Sequence, residues 1–365
     1  MSAPWLLTPG PLTTSVQTRA AMRSDWGSRD TAFIMLTAGV RGHLCKVAHA
    51  EAEHTCVPLQ GSGTFAVESM LGTLVPSDGR VLVLSNGAYG RRMVEICRRI
   101  GRAVTVHETP EDTAIAPDAV AAALANVPAG HVAIVHCETT TGVLNPLEDI
   151  AAVVARHDRR LLVDAMSSFG AVEIDAREIA FDGLAASANK GLEGVPDIAF
   201  VLGRRAALEG TAGNAPSLSL DLHDQWRGFE ANGQWRFTPP THVIAALAMA
   251  LAQLDQEGGV AARHARYAAN CATLRAGMTG LGFRPLLDAA VQAPVIVTFH
   301  APRDPAYDFA AFYDALLARG YAIYPGRLTD AETFRIGCIG AVGEAQMTGV
   351  VEAVRDVMAA QGFRP

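Results

Sequence analysis

Short runs of apolar residues alternate along this chain with longer stretches in which apolar positions recur every three or four residues. The first pattern predicts strands and the second predicts helices. Strands are expected at 81–84, 104–107, 132–137, 160–164, 183–187 and 198–202, and helices at 65–74, 91–100, 117–126 and 149–157. Pro117 followed by Asp118 is a helix start, because proline has no N–H to lose in the first turn. This alternation predicts an α/β fold whose mainly parallel sheet is covered on both faces.

The pattern changes beyond residue 240. A long helix rich in Ala, Leu and Met is expected over 241–256, then a helix at 260–278, a strand at 295–300 and a helix at 308–319. Short strands at 321–324 and 334–338 and a helix at 344–361 complete the chain. Helices mixed with antiparallel strands predict a smaller α+β domain. No repeat or low-complexity linker marks the junction. The change of pattern alone sets the large domain at 16–245 and the small one at 246–365, joined by the segment 1–15.

Composition narrows the function. Half of the 365 residues are hydrophobic and 18% are charged, with a net charge of −7 and no basic run. That points away from a nucleic-acid face and from a polybasic membrane anchor. An anionic substrate would gain nothing from the global field and would need local arginines. The six cysteines lack metal-ligand or disulfide spacing, and Cys137 and Cys338 fall in apolar runs, so reduced thiols are expected. With no signal arrangement and no membrane-length apolar run, a cytoplasmic protein is expected.

Candidate chemistry collects at predicted strand ends. Gly61-Ser62-Gly63-Thr64 precedes a helix and is either a phosphate cradle or a helix cap. Tyr89, in Ser85-Asn86-Gly87-Ala88-Tyr89-Gly90, either stacks on a flat ring or fills a turn. The hydroxyls of Thr139, Thr140 and Thr141 either bind a ligand oxygen or cap a turn. Asp164 closes the run Leu161-Leu162-Val163 and needs a partner if buried. Lys190 follows Ser187-Ala188-Asn189, one strand further on. An amine to bond an aldehyde and a carboxylate to keep a pyridine nitrogen protonated are what pyridoxal 5′-phosphate requires of a protein.

Further segments carry a resemblance: 6–15 (LLTPGPLTTS), 164–170 (DAMSSFG), 187–190 (SANK), 225–227 (QWR), 235–238 (WRFT), 240–242 (PTH) and 334–337 (FRIG). Together they resemble the fold-type I, class-V aminotransferases, the branch that includes the alanine–glyoxylate and serine–pyruvate enzymes. Within it they are most similar to the 2-aminoethylphosphonate–pyruvate aminotransferase family. The resemblance implies a seven-stranded, mainly parallel sheet and a homodimer with active sites at the subunit interface.

It also implies pyridoxal 5′-phosphate as cofactor and a ping-pong transfer from 2-aminoethylphosphonate to pyruvate. The alternative is an alanine–glyoxylate or serine–pyruvate activity. By position, the resemblance gives Lys190 the covalent and proton-moving role, Asp164 the pyridine nitrogen, Tyr89 the ring face and Thr139 the phenolic side. Ser62, Gly63, Thr64 and Ser187 would hold the phosphate, with Thr238 reaching from the second subunit. Arg335 would clamp the substrate's anion. The chain departs from the family pattern at 197–200 (DIAF) and in the variable 25–30 segment (DWGSRD), which leaves substrate choice less determined than the cofactor.

Overall fold

The computed structural model describes residues 3–326, 328 and 331–365. Seven strands form one sheet in the order His54–Gln60, Ile198–Arg204, Gly183–Ser187, Arg160–Asp164, His131–Val135, Arg80–Ser85, Ala103–Glu108. Ile198–Arg204 runs antiparallel to both of its neighbours, so the other six strands share one direction. Their carboxyl ends therefore meet along one rim, where open α/β sheets place their ligands.

Successive strand residues face opposite sides. Leu82 and Leu84 pack with Phe33, Leu44, Ile150 and Leu251 on one face. Val81 and Val83 pack with Val67, Met70, Met93 and Cys97 on the other. Helices thus cover both faces, as the near-continuous apolar strands require.

Several boundaries differ from expectation. The helix expected from residue 91 begins earlier and spans Ala88–Arg99, and the one expected from 65 spans Gly63–Leu74. The expected strand at 132–137 breaks after Val135, and Cys137–Glu138 pairs instead with Val143–Leu144. The helix Thr31–Val47 and the edge strand His54–Gln60 were not read from the pattern.

A second, three-stranded antiparallel sheet is made of Ile296–His300, Thr333–Gly337 and Tyr324–Pro325, backed by Gly259–Gly280, Phe309–Ala318 and Glu344–Gln361. Phe283, Phe299, Phe312 and Phe334 fill its core, with Phe299 stacked on Phe334 at 5.6 Å. The expected strand at 321–324 is two strands. Tyr321–Ala322 pairs in parallel with Trp5–Leu6, whereas Tyr324–Pro325 joins the three-stranded sheet. Backbone bonds from Leu7 to Ala322 and from Gly337 to Leu7 carry the amino-terminal segment across this unit toward the rim.

Candidate active site

The rim encloses a cavity of about 330 Å³ lined by residues from near both ends of the large sheet's sequence, from the cradle at Ser62 to Lys190. Ser62, Gly63, Thr64, Tyr89, Thr139, Asp164, Ser187 and Lys190 all face it. The cradle arrives because His54–Gln60 runs parallel to the central strands and delivers Gly61 to the same edge. Ser62 is the N-cap of helix Gly63–Leu74, yet its hydroxyl makes no capping bond. A Cβ on Gly63 would run into the Met166 sulfur, so only glycine lets the backbone lie this close.

Asp164 ends its strand 5% exposed. One carboxylate oxygen accepts the Met166 amide at 3.0 Å. Burial raises its pKa to about 6, against the pull of the Met166 N–H and the charges of Arg92 and Lys190. Among the described residues no side chain donates a hydrogen bond to it, so the buried acid feels Arg92 and Lys190 only at a distance and lacks a cation in direct contact.

Lys190 lies just beyond the neighbouring strand Gly183–Ser187. Its Nζ donates to the Pro9 carbonyl at 2.6 Å. Desolvation brings its pKa down to about 8, with Asp164 and Cys137 opposing and Arg335 and Arg92 assisting. Gly10 packs over its side chain: a Cβ there would lie 2.7 Å from Lys190 Cδ. The amino-terminal segment thus roofs the lysine.

Tyr89 stands in the first turn of helix Ala88–Arg99. That turn is anchored by Glu138, fully buried, whose carboxylate accepts the Tyr89 amide at 3.1 Å and the Thr140 hydroxyl at 2.6 Å. Thr139 Oγ1 shares a hydrogen bond of 2.6 Å with Ser167 Oγ.

Two expected residues lie elsewhere. Arg335, 1% exposed, sits on the central strand of the small sheet and does not line the cavity. It reaches the site's wall, donating to the carbonyls of Thr139 at 2.9 Å and Pro325 at 3.0 Å, with its guanidinium 5.1 Å from the Tyr324 ring centre. Thr238 is exposed and lines a separate cavity with Phe65, Trp235 and Phe237. Conversely, the cavity includes Arg92, Met166 and Asn189, to which the sequence analysis gives no role, although Met166 and Asn189 lie in segments that carry the resemblance. The spacing of Arg92 from Tyr89, three residues along a helix, was the available signal.

This set suits a flat phosphorylated aldehyde. It offers a depressed-pKa amine, a buried acid without a cation, an aromatic face and a glycine-hydroxyl cradle at a helix N-terminus.

A family model for class-V aminotransferases matches residues 15–322. A Burkholderia lata protein named 2-aminoethylphosphonate–pyruvate transaminase 2 is 57% identical over 362 residues, covering 99% of this chain and 96% of that protein. A Pseudomonas aeruginosa 2-aminoethylphosphonate–pyruvate transaminase is 58% identical over 357 residues, covering 98% and 96%. The crystal structure of pyridoxamine–pyruvate aminotransferase from Mesorhizobium loti superimposes with a TM-score of 0.91 at 26% identity, covering 100% of this chain and 94% of that one. The architecture is that of the fold-type I aminotransferases.

Proposed function

The chain belongs to the class-V aminotransferases, and on that premise we propose that it moves the amino group of 2-aminoethylphosphonate to pyruvate, giving phosphonoacetaldehyde and L-alanine. What carries the substrate assignment is near-full-length identity of 57–58% to relatives bearing that name. Pyridoxal 5′-phosphate, when bound, supplies an electron sink for the amino-bearing carbon.

The residues divide the work. Lys190 Nζ holds the cofactor's aldehyde carbon and moves the proton at the substrate's amino-bearing carbon, for which a lowered pKa suits it. Asp164 would keep the pyridine nitrogen of the bound cofactor protonated, and Tyr89 would cover its ring. Thr139 would meet the phenolic oxygen, and Ser62, Gly63, Thr64 and Ser187 would hold the phosphate. The family resemblance gives Arg335 the anionic end of either substrate, since a guanidinium fork binds phosphonate and carboxylate alike; here its guanidinium stands in the wall behind the Thr139 carbonyl, outside the cavity lining.

The same reading has a homodimer in which Thr238 of one subunit reaches its partner's site; its exposure in a single chain supports this. It divides the chain at residue 245, inside the helix Thr241–Glu257 whose Leu247, Leu251 and Leu254 still pack in the large sheet's core, with 1–15 attached to the small domain, as the pairing of Trp5–Leu6 with Tyr321–Ala322 supports. It places the protein in the cytoplasm, a compartment that suits six free, buried thiols. No helix among the described residues is long and apolar enough to cross a membrane.

The test is the half-reaction. Purified, cofactor-loaded protein mixed with 2-aminoethylphosphonate alone should lose its cofactor absorption in the visible and release phosphonoacetaldehyde. Inertness toward this donor, with prompt bleaching by serine or alanine, would overturn the assignment.

A further inference from the structure

We propose that Arg92 is the counter-cation for a tetrahedral phosphorus oxyanion bound in the cavity. The proposal rests on the pyridoxal-phosphate reading above. It starts from a shortage of charge. The cradle offers the Ser62 and Thr64 hydroxyls and the free amides of helix Gly63–Leu74, all of them neutral. A phosphate monoester carries close to two negative charges at neutral pH, and a helix N-terminus supplies the equivalent of about half a positive one. Lys190 is committed to the cofactor's aldehyde, and Arg335 lies behind the Thr139 carbonyl.

Arg92 is the arginine that lines the cavity. It stands three residues after Tyr89 on helix Ala88–Arg99, hence on the same face. Its guanidinium donates to Thr64 Oγ1 at 3.1 Å and lies 4.8 Å from the Tyr89 ring centre. It therefore spans the distance from the cradle to the ring stacker. Its neighbour Arg91 is paired with Glu111, whereas among the described residues Arg92 has no carboxylate within ion-pair range. Of the five N–H donors of an arginine, the Thr64 bond occupies one. Its charge reaches the chemistry as well, lowering the pKa of both Asp164 and Lys190. A cation so placed, planar and multiply donating, fits the oxygens of a phosphate or phosphonate group.

Two sources can supply that oxyanion: the cofactor's phosphate and the donor's phosphonate. Affinity measurements separate them. Protein stripped of cofactor is titrated with pyridoxal 5′-phosphate and with pyridoxal, which lacks the phosphate, in the wild type, Arg92→Lys and Arg92→Gln. If the oxyanion is the cofactor's, Arg92→Gln weakens pyridoxal 5′-phosphate about ten- to a hundredfold, the size of a charge-assisted hydrogen bond. Pyridoxal stays within about twofold under the same change, and Arg92→Lys falls between. If it is the donor's, cofactor affinity holds, while half-saturation by 2-aminoethylphosphonate rises by at least about tenfold and that by alanine does not.

Unchanged affinity for all of these ligands in Arg92→Gln would overturn the proposal, as would an equal loss for pyridoxal and its phosphate. Failure of the functional reading looks different. A wild type that binds pyridoxal 5′-phosphate but ignores 2-aminoethylphosphonate sinks the substrate and leaves the phosphate comparison standing.

Discussion

The Arg335 guanidinium donates to the backbone carbonyl of Thr139 at 2.9 Å, across 196 positions of sequence. A second bond runs alongside it, from the Thr298 hydroxyl to the Thr141 carbonyl at 2.8 Å. The small sheet is thereby fastened to the loop that carries Thr139 into the cavity, and the arginine is held by geometry as well as by its strand. Arg335→Lys keeps the charge and loses the planar fork. We expect the KM for both 2-aminoethylphosphonate and pyruvate to rise about ten- to a hundredfold, with cofactor absorption retained. Steady-state kinetics check it. Unaltered KM values would remove Arg335 from substrate recognition.

What was legible in the chain follows from how local each signal is. Leu161-Leu162-Val163 is apolar on both faces because its strand is buried on both, so it declared itself and Asp164 with it. His54–Gln60 hid, because Pro58 and polar ends disguise an edge strand. Helix Thr31–Val47 lacks a clean apolar stripe, with Gly39 and Gly42 inside it. Tyr89 was found but put before its helix, since glycines at 87 and 90 read as a loop. Gly90 is there for a different reason: a Cβ would lie 2.6 Å from Ser85 Oγ. Arg92 carries no role in the sequence analysis, although its three-residue spacing from Tyr89 puts the two on one helix face, and the roof of Gly10 over Lys190 depends on a contact 180 residues apart. Such a long-range contact leaves no periodic trace.

Lys190 carries a pH prediction whose sign follows from its depressed pKa. Below about pH 8 the amine is an ammonium and cannot attack an aldehyde; above it the free amine predominates. The rate at which stripped protein captures pyridoxal 5′-phosphate should rise with pH, reach half its maximum near 8 and level off about one unit higher. Stopped-flow absorbance measures it. A half-rise near 10.5, the value of an ordinary lysine, would show that burial does not set this group.

Glu193 secures the lysine loop from behind. Its amide donates to the Lys190 carbonyl at 2.9 Å. Its carboxylate accepts from Arg266 at 2.6 Å and from the Tyr267 hydroxyl at 2.6 Å, with Arg263 at 3.8 Å. Both arginines also bind Glu257. Removing one acid from a buried cluster leaves cationic charge uncompensated, which costs about 3–5 kcal/mol. Glu193→Gln should lower stability toward the smaller of these figures, because Glu257 remains, and denaturant unfolding reads it. A loss below about 1 kcal/mol would mark the cluster as a set of weakly coupled surface-like pairs.

His136 gives the last prediction, on acid sensitivity. Its ring is buried, and burial lowers its pKa from 6.5 to about 4. Its Nδ1 has no hydrogen-bond partner among the described residues. Between those pH values the unfolded chain carries a proton on this ring and the folded protein does not. Stability contributed by the neutral ring is therefore complete above pH 6.5 and lost as pH falls toward 4, by roughly 3 kcal/mol. Asp164 and Glu138 act in the opposite sense, because burial raises their carboxyls and the folded state holds their protons. The whole-protein profile mixes these signs, so the readout is a difference. Calorimetric unfolding at pH 5.5 should take up about one proton fewer in His136→Gln than in the wild type. Equal uptake would mean that this ring is already protonated in the fold, and that its buried surroundings admit a charge.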